Sequence, residues 1–327
     1  MNDVNTKTII VGVSADGESE GALRFAVDEA KRQHCGITVV HAMSDSLTPP
    51  PGDPLLSYGT HTGSSRQSVD QVESTEANRL VTDVARRVRA MSNGSVVVDA
   101  DVPVGRRAHA IIEAAADARL IVLQHRDLHT FERIFVRSTS TAVSARARCP
   151  VVTVPPVWDP DLHHERVTVA IDKIEESGTV LRVAFEGAKS RGARLDVVHT
   201  WKLISAEDDI VVSQIVLQEL QSRTSSHFEK LLAPWREEFP HVKVEQHVIR
   251  QDTIKALLEY SRESDLLVLG RFRAAIPLPL PLGTVARAMV NHALCPVEVV
   301  PHGRSDTSKA ERGSDDASTD KAFGSES

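Results

Sequence analysis

The feature that most constrains how this chain folds is that it is written twice. Thr8 to Val13 (TIIVGV) leads into the helical stretch GALRFAVDEAKRQ and a second apolar run, ITVVHAM. Val167 to Ile171 (VTVAI) leads in the same way into TVLRVAFEGAKSRG and LDVVHTW. The pairs Ser14/Asp172 and His41/His199 each stand 158 residues apart. Further along, AHAIIEAAADARLIVLQ (Ala108 to Gln124) matches IKALLEYSRESDLLVLG (Ile254 to Gly270), and RARCPVVTVP matches NHALCPVEVVP. There the pairs Gln124/Gly270 and Cys149/Cys295 stand 146 apart, so the first copy carries 12 extra residues. They fall in the Pro/Gly/Ser-rich stretch Leu47 to Ser65, which reads as a loop. A repeat of this length calls for one folding unit used twice.

Within each copy, short β-branched runs alternate with longer stretches of helical period, the order of an α/β fold with a parallel sheet and helices on both faces. The runs IIVGV, ITVV, SVVV, LIVL and VVTV are almost continuously apolar, as strands covered on both sides are. We therefore expect two Rossmann-like domains, each a five-stranded parallel sheet, with ten strands in two sheets. The stretch Pro155 to Arg166 lacks periodicity and carries three prolines. This places the first domain at residues 1–157, a linker at 158–165 and the second domain at 166–303. His163 and His164 read as part of a solvated linker, because no third metal ligand stands at a usual spacing. Residues 304–327 are polar and rich in Ser and Asp, the composition of a disordered tail.

Charge and cysteine content narrow the partners. With 45 acidic against 38 basic residues the net charge is −7, which offers no general attraction to nucleic acid or an anionic bilayer. Cys35, Cys149 and Cys295 are too far apart for a C-x-x-C site or a disulfide framework, and the start MNDVNTKTII lacks the pattern of an export signal. No run of 18 apolar residues occurs, so a cytoplasmic protein without a membrane span is expected.

In an open parallel sheet, ligands bind beyond the carboxyl ends of the strands where the strand order reverses. Two loops meet there, one after the first strand and one after the fourth. In the second copy, Gly270 ends the fourth strand, where the missing side chain lets backbone amides approach a phosphate. Gly283 and Thr284 open the helix VARAMVNHA, whose first-turn N–H groups and dipole would face an anion. From the residues alone a second reading stays open, in which Gly283 ends the loop and Thr284 simply caps the helix. His41 and His199 read as packed, hydrogen-bonded residues at the edge of the core, and Cys149 and Cys295 as small structural residues. His125-Arg126-Asp127 spells the H-R-D of protein kinases without the accompanying Asn, D-F-G or glycine-rich loop, and so reads as coincidence. No nucleophile, base and orienting group can be assembled, so an enzyme is not expected.

The succession VGV or VAI, LLVLG, G-T-V-A-R-A and C-P-V-x-V-V resembles the universal stress protein family in tandem form, across nearly all of both copies. The resemblance implies an adenine nucleotide α-hydrolase-like fold. Members that bind ATP carry an acidic residue after the first strand and the signature G-x2-G-x9-G-S/T after the fourth. Carried onto the second copy, this implies Asp172, Gly270, Arg273, Gly283 and Thr284 as nucleotide-binding positions, with Thr200 beside the adenine and ATP with Mg²⁺ as the ligand. Arg273 departs from the glycine of the signature; its β-carbon costs about 1 kcal/mol or more if positive φ is needed, while its guanidinium could grip a phosphate.

In the first copy the same positions are Ser14, Gln124, Asp127, Arg137 and Ser138. A carboxylate at Asp127 about 4 Å from a phosphate charge would repel it by roughly 1 to 4 kcal/mol. The first domain is therefore expected to be structural and the second a nucleotide binder in a stress response. The alternative is a regulatory scaffold acting through the Pro/Leu segment IPLPLPL (Ile276 to Leu282), the long loop or the tail. An enzyme of the wider α-hydrolase group is the weakest reading, since the S-G-G-x-D-S loop is missing after both first strands. Relatives pair through the last strand of each domain, here VVTV (Val151 to Val154) and VEVV (Val297 to Val300). A tandem chain can make that pairing internally, or two chains can make it as a homodimer.

Overall fold

The computed structural model describes residues 8–14, 19–44, 63–125, 139–174, 176–201, 214–271 and 282–301. Arg273, Asp127, Arg137 and Ser138, most of the Pro/Leu segment, the long loop as far as residue 62, and the tail lie outside the described residues. In chain order the first half runs β1 (Ile9–Gly12), α1 (Glu20–Gln33), β2 (Ile37–Val40), α2 (Gly63–Met91), β3 (Val98–Asp101), α3 (Arg107–Ala114), β4 (Leu120–Gln124), α4 (Thr139–Arg146) and β5 (Val151–Val154). The second runs β6 (Arg166–Ala170), α5 (Gly178–Arg191), β7 (Arg194–Trp201), α6 (Gln214–Glu238), β8 (Val244–Arg250), α7 (Thr253–Tyr260), β9 (Leu266–Gly270), α8 (Thr284–His292) and β10 (Val297–Val300). Gly63 to Ser65, read from sequence as loop, already belong to α2.

The strands form one sheet in the order β3-β2-β1-β4-β5-β10-β9-β6-β7-β8. Each half is parallel throughout, and the halves join antiparallel through Val297↔Thr153, Glu298↔Val152 and Val299↔Val151. The expectation of two separate sheets is thus corrected, while the internal pairing of the last strands is what the structure shows. The reason is the edge problem: β5 and β10 are each covered on both faces, and an unpaired edge there would leave a row of N–H and C=O groups unsatisfied.

The third strand also differs from expectation. The run SVVV spans residues 95–98, but the strand is Val98–Asp101, of which only Val98 is buried. Its place at the edge of the sheet explains this, because one side of the strand has no partner and tolerates Asp99 and Asp101. Val97, by contrast, is 73 % exposed.

One continuous apolar core lies under α1, α2, α5 and α6 and runs through both halves, from Leu23 and Val39 to Phe185 and Phe228. On the opposite face α3 and α4 cover a core around Ile121, and α7 and α8 cover another around Leu267. The repeat extends to helix ends: α1 stops at His34 and α5 at Gly192, both in the left-handed region (φ 50° and 63°). Cys295 is buried in the second half's core, and burial pushes its thiol up, consistent with an unreactive packing role.

Polar contacts lock the halves under the shared strands. Arg191 at the end of α5 donates to Glu29 of α1 at 2.6 Å, and Arg32 reaches the same carboxylate at 3.0 Å. Burial pushes the Glu29 carboxyl up, but Arg191, Arg32 and Gln33 outweigh it and hold the group below its ordinary value. The linker is strapped down rather than fully solvated: Trp158 meets Phe25 edge-on at 5.9 Å, Arg24 pairs with Asp161, and the His164 amide donates to Asp265 at 2.7 Å. His163 itself is exposed.

Candidate functional site

The first strand of the second half, β6, is flanked by β7 on one side and β9 on the other, so its carboxyl end is where the connections diverge to opposite faces. A cavity of about 590 Å³ opens there. Five of the six residues expected to bind a nucleotide line it together: Asp172, Thr200, Gly270, Gly283 and Thr284. The sixth, Arg273, lies outside the described residues.

The chain builds this cavity by simple means. A histidine holds the loop that carries Asp172: His199 Nδ1 lies 2.9 Å from the Ile171 carbonyl, and the Ile171 amide donates to Val198. The first half repeats the device, with His41 Nδ1 3.0 Å from the Val13 carbonyl. These histidines are packed and hydrogen-bonded, as their repetition suggested, and they fix the backbone just before Ser14 and Asp172. Thr200 places its hydroxyl 2.7 Å from that of Thr253, at the start of α7. The strand end and the helix start are thereby joined across the back wall.

Two uncapped helix starts border the cavity. Gly283 is the N-cap of α8, and no side chain caps that helix; Thr284 is its first residue and not its cap. The alternative reading of Thr284 as the capping residue is therefore corrected, because the chain turns into the helix at Gly283. The start of α5, at Ser177, also lacks a side-chain cap; the Ser177 hydroxyl instead donates to Ile174 at 2.6 Å. Uncapped first turns present N–H groups and partial positive charge, the usual setting for an anion. The apolar wall, with Val180, Val198, Leu257 and Leu269 among its members, suits a flat ring.

The lining cations Lys173, Arg271 and Arg287 escaped the reading from sequence. Arg271, directly after Gly270, is half-buried, and burial alone pushes its guanidinium below the ordinary arginine value. It donates to the carbonyl of Ala147 in the other half at 2.8 Å. Among the described residues no carboxylate lies within ion-pair distance of it. The sequence from Gly270 to Arg287 contains no Asp or Glu at all. A lone arginine beside a degenerate signature carries no pattern, so only its position in the fold draws attention to it.

The first half treats the same strand end differently. Gln124, at the position of Gly270, turns its side chain across the strand ends: Oε1 accepts from the Ala22 amide at 2.8 Å, and Nε2 donates to the Val154 carbonyl at 3.2 Å. It thus occupies the first turn of α1. The second half makes the reverse choice. A β-carbon on Gly270 would sit 3.1 Å from Val180 Cγ2, and Val180 is the counterpart of Ala22. The pair is Gln with Ala in one half and Gly with Val in the other, so each half fills this crossing differently.

The model of the universal stress protein family matches residues 5–155 and again 163–301. The chain belongs to the universal stress protein family. It is a tandem member, as its repeat and its resemblance implied. A universal stress protein of Mycolicibacterium smegmatis (strain ATCC 700084 / mc(2)155) is 27 % identical over 296 residues, covering 89 % of this chain and 96 % of the relative. One from Mycobacterium tuberculosis (strain ATCC 25618 / H37Rv) is 26 % identical over 295 residues, with the same coverage of 89 % and 96 %. Among solved structures, a universal stress protein from Archaeoglobus fulgidus DSM 4304 aligns with a TM-score of 0.64 at 18 % identity, covering 93 % of this chain and all of that one. That likeness concerns the fold. No helix among the described residues of this universal stress protein is long and apolar enough to cross a membrane.

Proposed function

We propose that the second half of this universal stress protein binds ATP or a related adenine nucleotide, taken with Mg²⁺, and that the first half is its structural partner. One observation carries the reading: a single cavity gathers Asp172, Thr200, Gly270, Gly283 and Thr284 between two uncapped helix starts. The residues suit the group. Amides at the starts of α5 and α8 would hold phosphate, and the apolar wall would hold the base. The Asp172 carboxylate, which only accepts, would take a ribose hydroxyl or face the cation. The role is binding, in a stress response, rather than turnover.

Calorimetry on the whole chain with ATP and Mg²⁺ tests this, with saturable heat at one site expected. No heat at millimolar ATP would overturn the reading and favour a scaffold acting through protein contacts. A sharper control transplants the plug of the first half: Gly270→Gln together with Val180→Ala. The double variant is expected to fold normally, since the first half tolerates that pair, and to lose ATP affinity by at least about tenfold. Undiminished binding in the folded double variant would show that the nucleotide sits elsewhere.

A further inference from the structure

Among the described residues that line the cavity, cationic side chains outnumber carboxylates, three (Lys173, Arg271, Arg287) to two (Asp172, Glu176). Arg271 and Arg287 both line it, and among the described residues neither is within ion-pair distance of a carboxylate. Each uncapped helix start adds about half a positive charge. Against these stand Asp172 and the Lys173–Glu176 pair, which is internally neutral at 3.3 Å. A monophosphate ester leaves this field largely unspent; a triphosphate does not. Arg287 is exposed on α8, whereas Arg271 is half-buried and already oriented.

The orientation comes from the other half of the molecule. Arg271 Nη1 is held by the carbonyl of Ala147, just past the end of α4, and Ala147 is itself buried with its amide bonded to Val143. The Arg271 backbone is fixed as well, its amide donating to Val300 on β10. A guanidinium has five N–H donors in a rigid fork, so a contact to one carbonyl leaves donors over for a ligand. In the first half the equivalent position is His125, beside the Gln124 plug.

We propose that Arg271 is the phosphate-chain residue of this cavity, selecting nucleoside triphosphates over monophosphates, with the Ala147 carbonyl of the first half as its positioning group. This rests on the nucleotide-binding reading above, and it makes the first half a contributor to the site and not only a neighbour. A bidentate contact to phosphate is among the strongest hydrogen-bonded pairs a side chain can form.

The test is titration of the intact chain with ATP and with AMP, in wild type, Arg271→Ala and Arg271→Lys. Wild type is expected to favour ATP by about tenfold or more, Arg271→Ala to lose that preference, and Arg271→Lys to keep part of it. AMP affinity should change by less than about threefold in the variants, which reports an intact cavity. In hydrogen exchange, ATP should alter protection of the amides of residues 147–149 and 151 in wild type but not in Arg271→Ala. An unchanged ATP preference in Arg271→Ala overturns the assignment while leaving the cavity as a nucleotide site. Equal loss of both nucleotides also overturns it, since Arg271 would then only shape the cavity. Binding of neither nucleotide by wild type overturns the underlying reading as well.

Discussion

Arg191→Ala is expected to lower the unfolding free energy of the whole chain by about 3 kcal/mol, the low end of the cost of breaking a buried ion pair. The side chains of Arg191 and Glu29 are only 8 % and 7 % exposed, and they meet across the boundary between the two halves. Removing the arginine leaves Glu29 with Arg32 and Gln33, which share the carboxylate but do not replace the lost contact. The guanidinium also stacks 5.7 Å from the Phe25 ring, so packing is lost along with charge. Urea unfolding of the two proteins measures the difference. A loss below about 1 kcal/mol would place the pair among surface bridges and sink the idea that it fastens the halves. Removing both partners, as Arg191→Met with Glu29→Met, is expected to cost less than removing Arg191 alone, because no charge is then stranded.

The second large effect is a dependence on pH. Glu298 lies on β10 at the join between the halves, opposite Val152 of β5. Burial first, and then the neighbouring Glu29 charge, push its carboxyl up to about 8, with Glu186 adding to the rise and Arg191 opposing it. A carboxyl with a folded pKa above its unfolded one binds its proton more tightly when folded. The Glu298 contribution to stability is therefore greatest below the ordinary value of 4.5 and is lost as pH rises from there through about 8, beyond which the cost is complete. Part of the Glu298 surface still meets solvent, so we expect a loss of about 3 kcal/mol over that window rather than the full conversion of the shift.

Glu298→Gln keeps the shape and removes the titration, so its stability relative to wild type should climb between pH 5 and pH 9. Parallel pH curves for the two proteins would show that Glu298 is not held protonated. The two sites are coupled: since Arg191 opposes the rise at Glu298, its removal should steepen the pH dependence, which a double-mutant cycle would reveal.

Much of this could be read without coordinates. The offsets of 158 and 146 residues announced the duplication, and strands buried on both faces declared themselves as continuous apolar runs. The same logic failed at β3, where an edge position lets Asp99 and Asp101 into a strand and shifts it away from SVVV. For the site, the strand-end rule and the residue types led to Gly270, Gly283 and Thr284, because backbone approach and helix starts leave a mark on residue type, while Asp172 and Thr200 came from the family resemblance. Contacts between residues distant in the chain leave none. The exchange of Gln124 with Ala22 for Gly270 with Val180 involves positions some 90 to 100 residues apart in each half, and neither residue is unusual on its own.

By itself, then, the sequence determined the unit, its duplication and the end of the sheet where a ligand could sit, since these follow from periodicity, turn chemistry and repeat alone. Tertiary structure decided the rest: that β5 and β10 fuse two sheets into one, that Gln124 bonds across the strand ends to Ala22 and Val154 where Gly270 leaves no side chain, and that Arg271 is hydrogen-bonded to the opposite half. Those outcomes depend on which side chains meet across long stretches of chain. Packing geometry sets that, and no local pattern of residues encodes it.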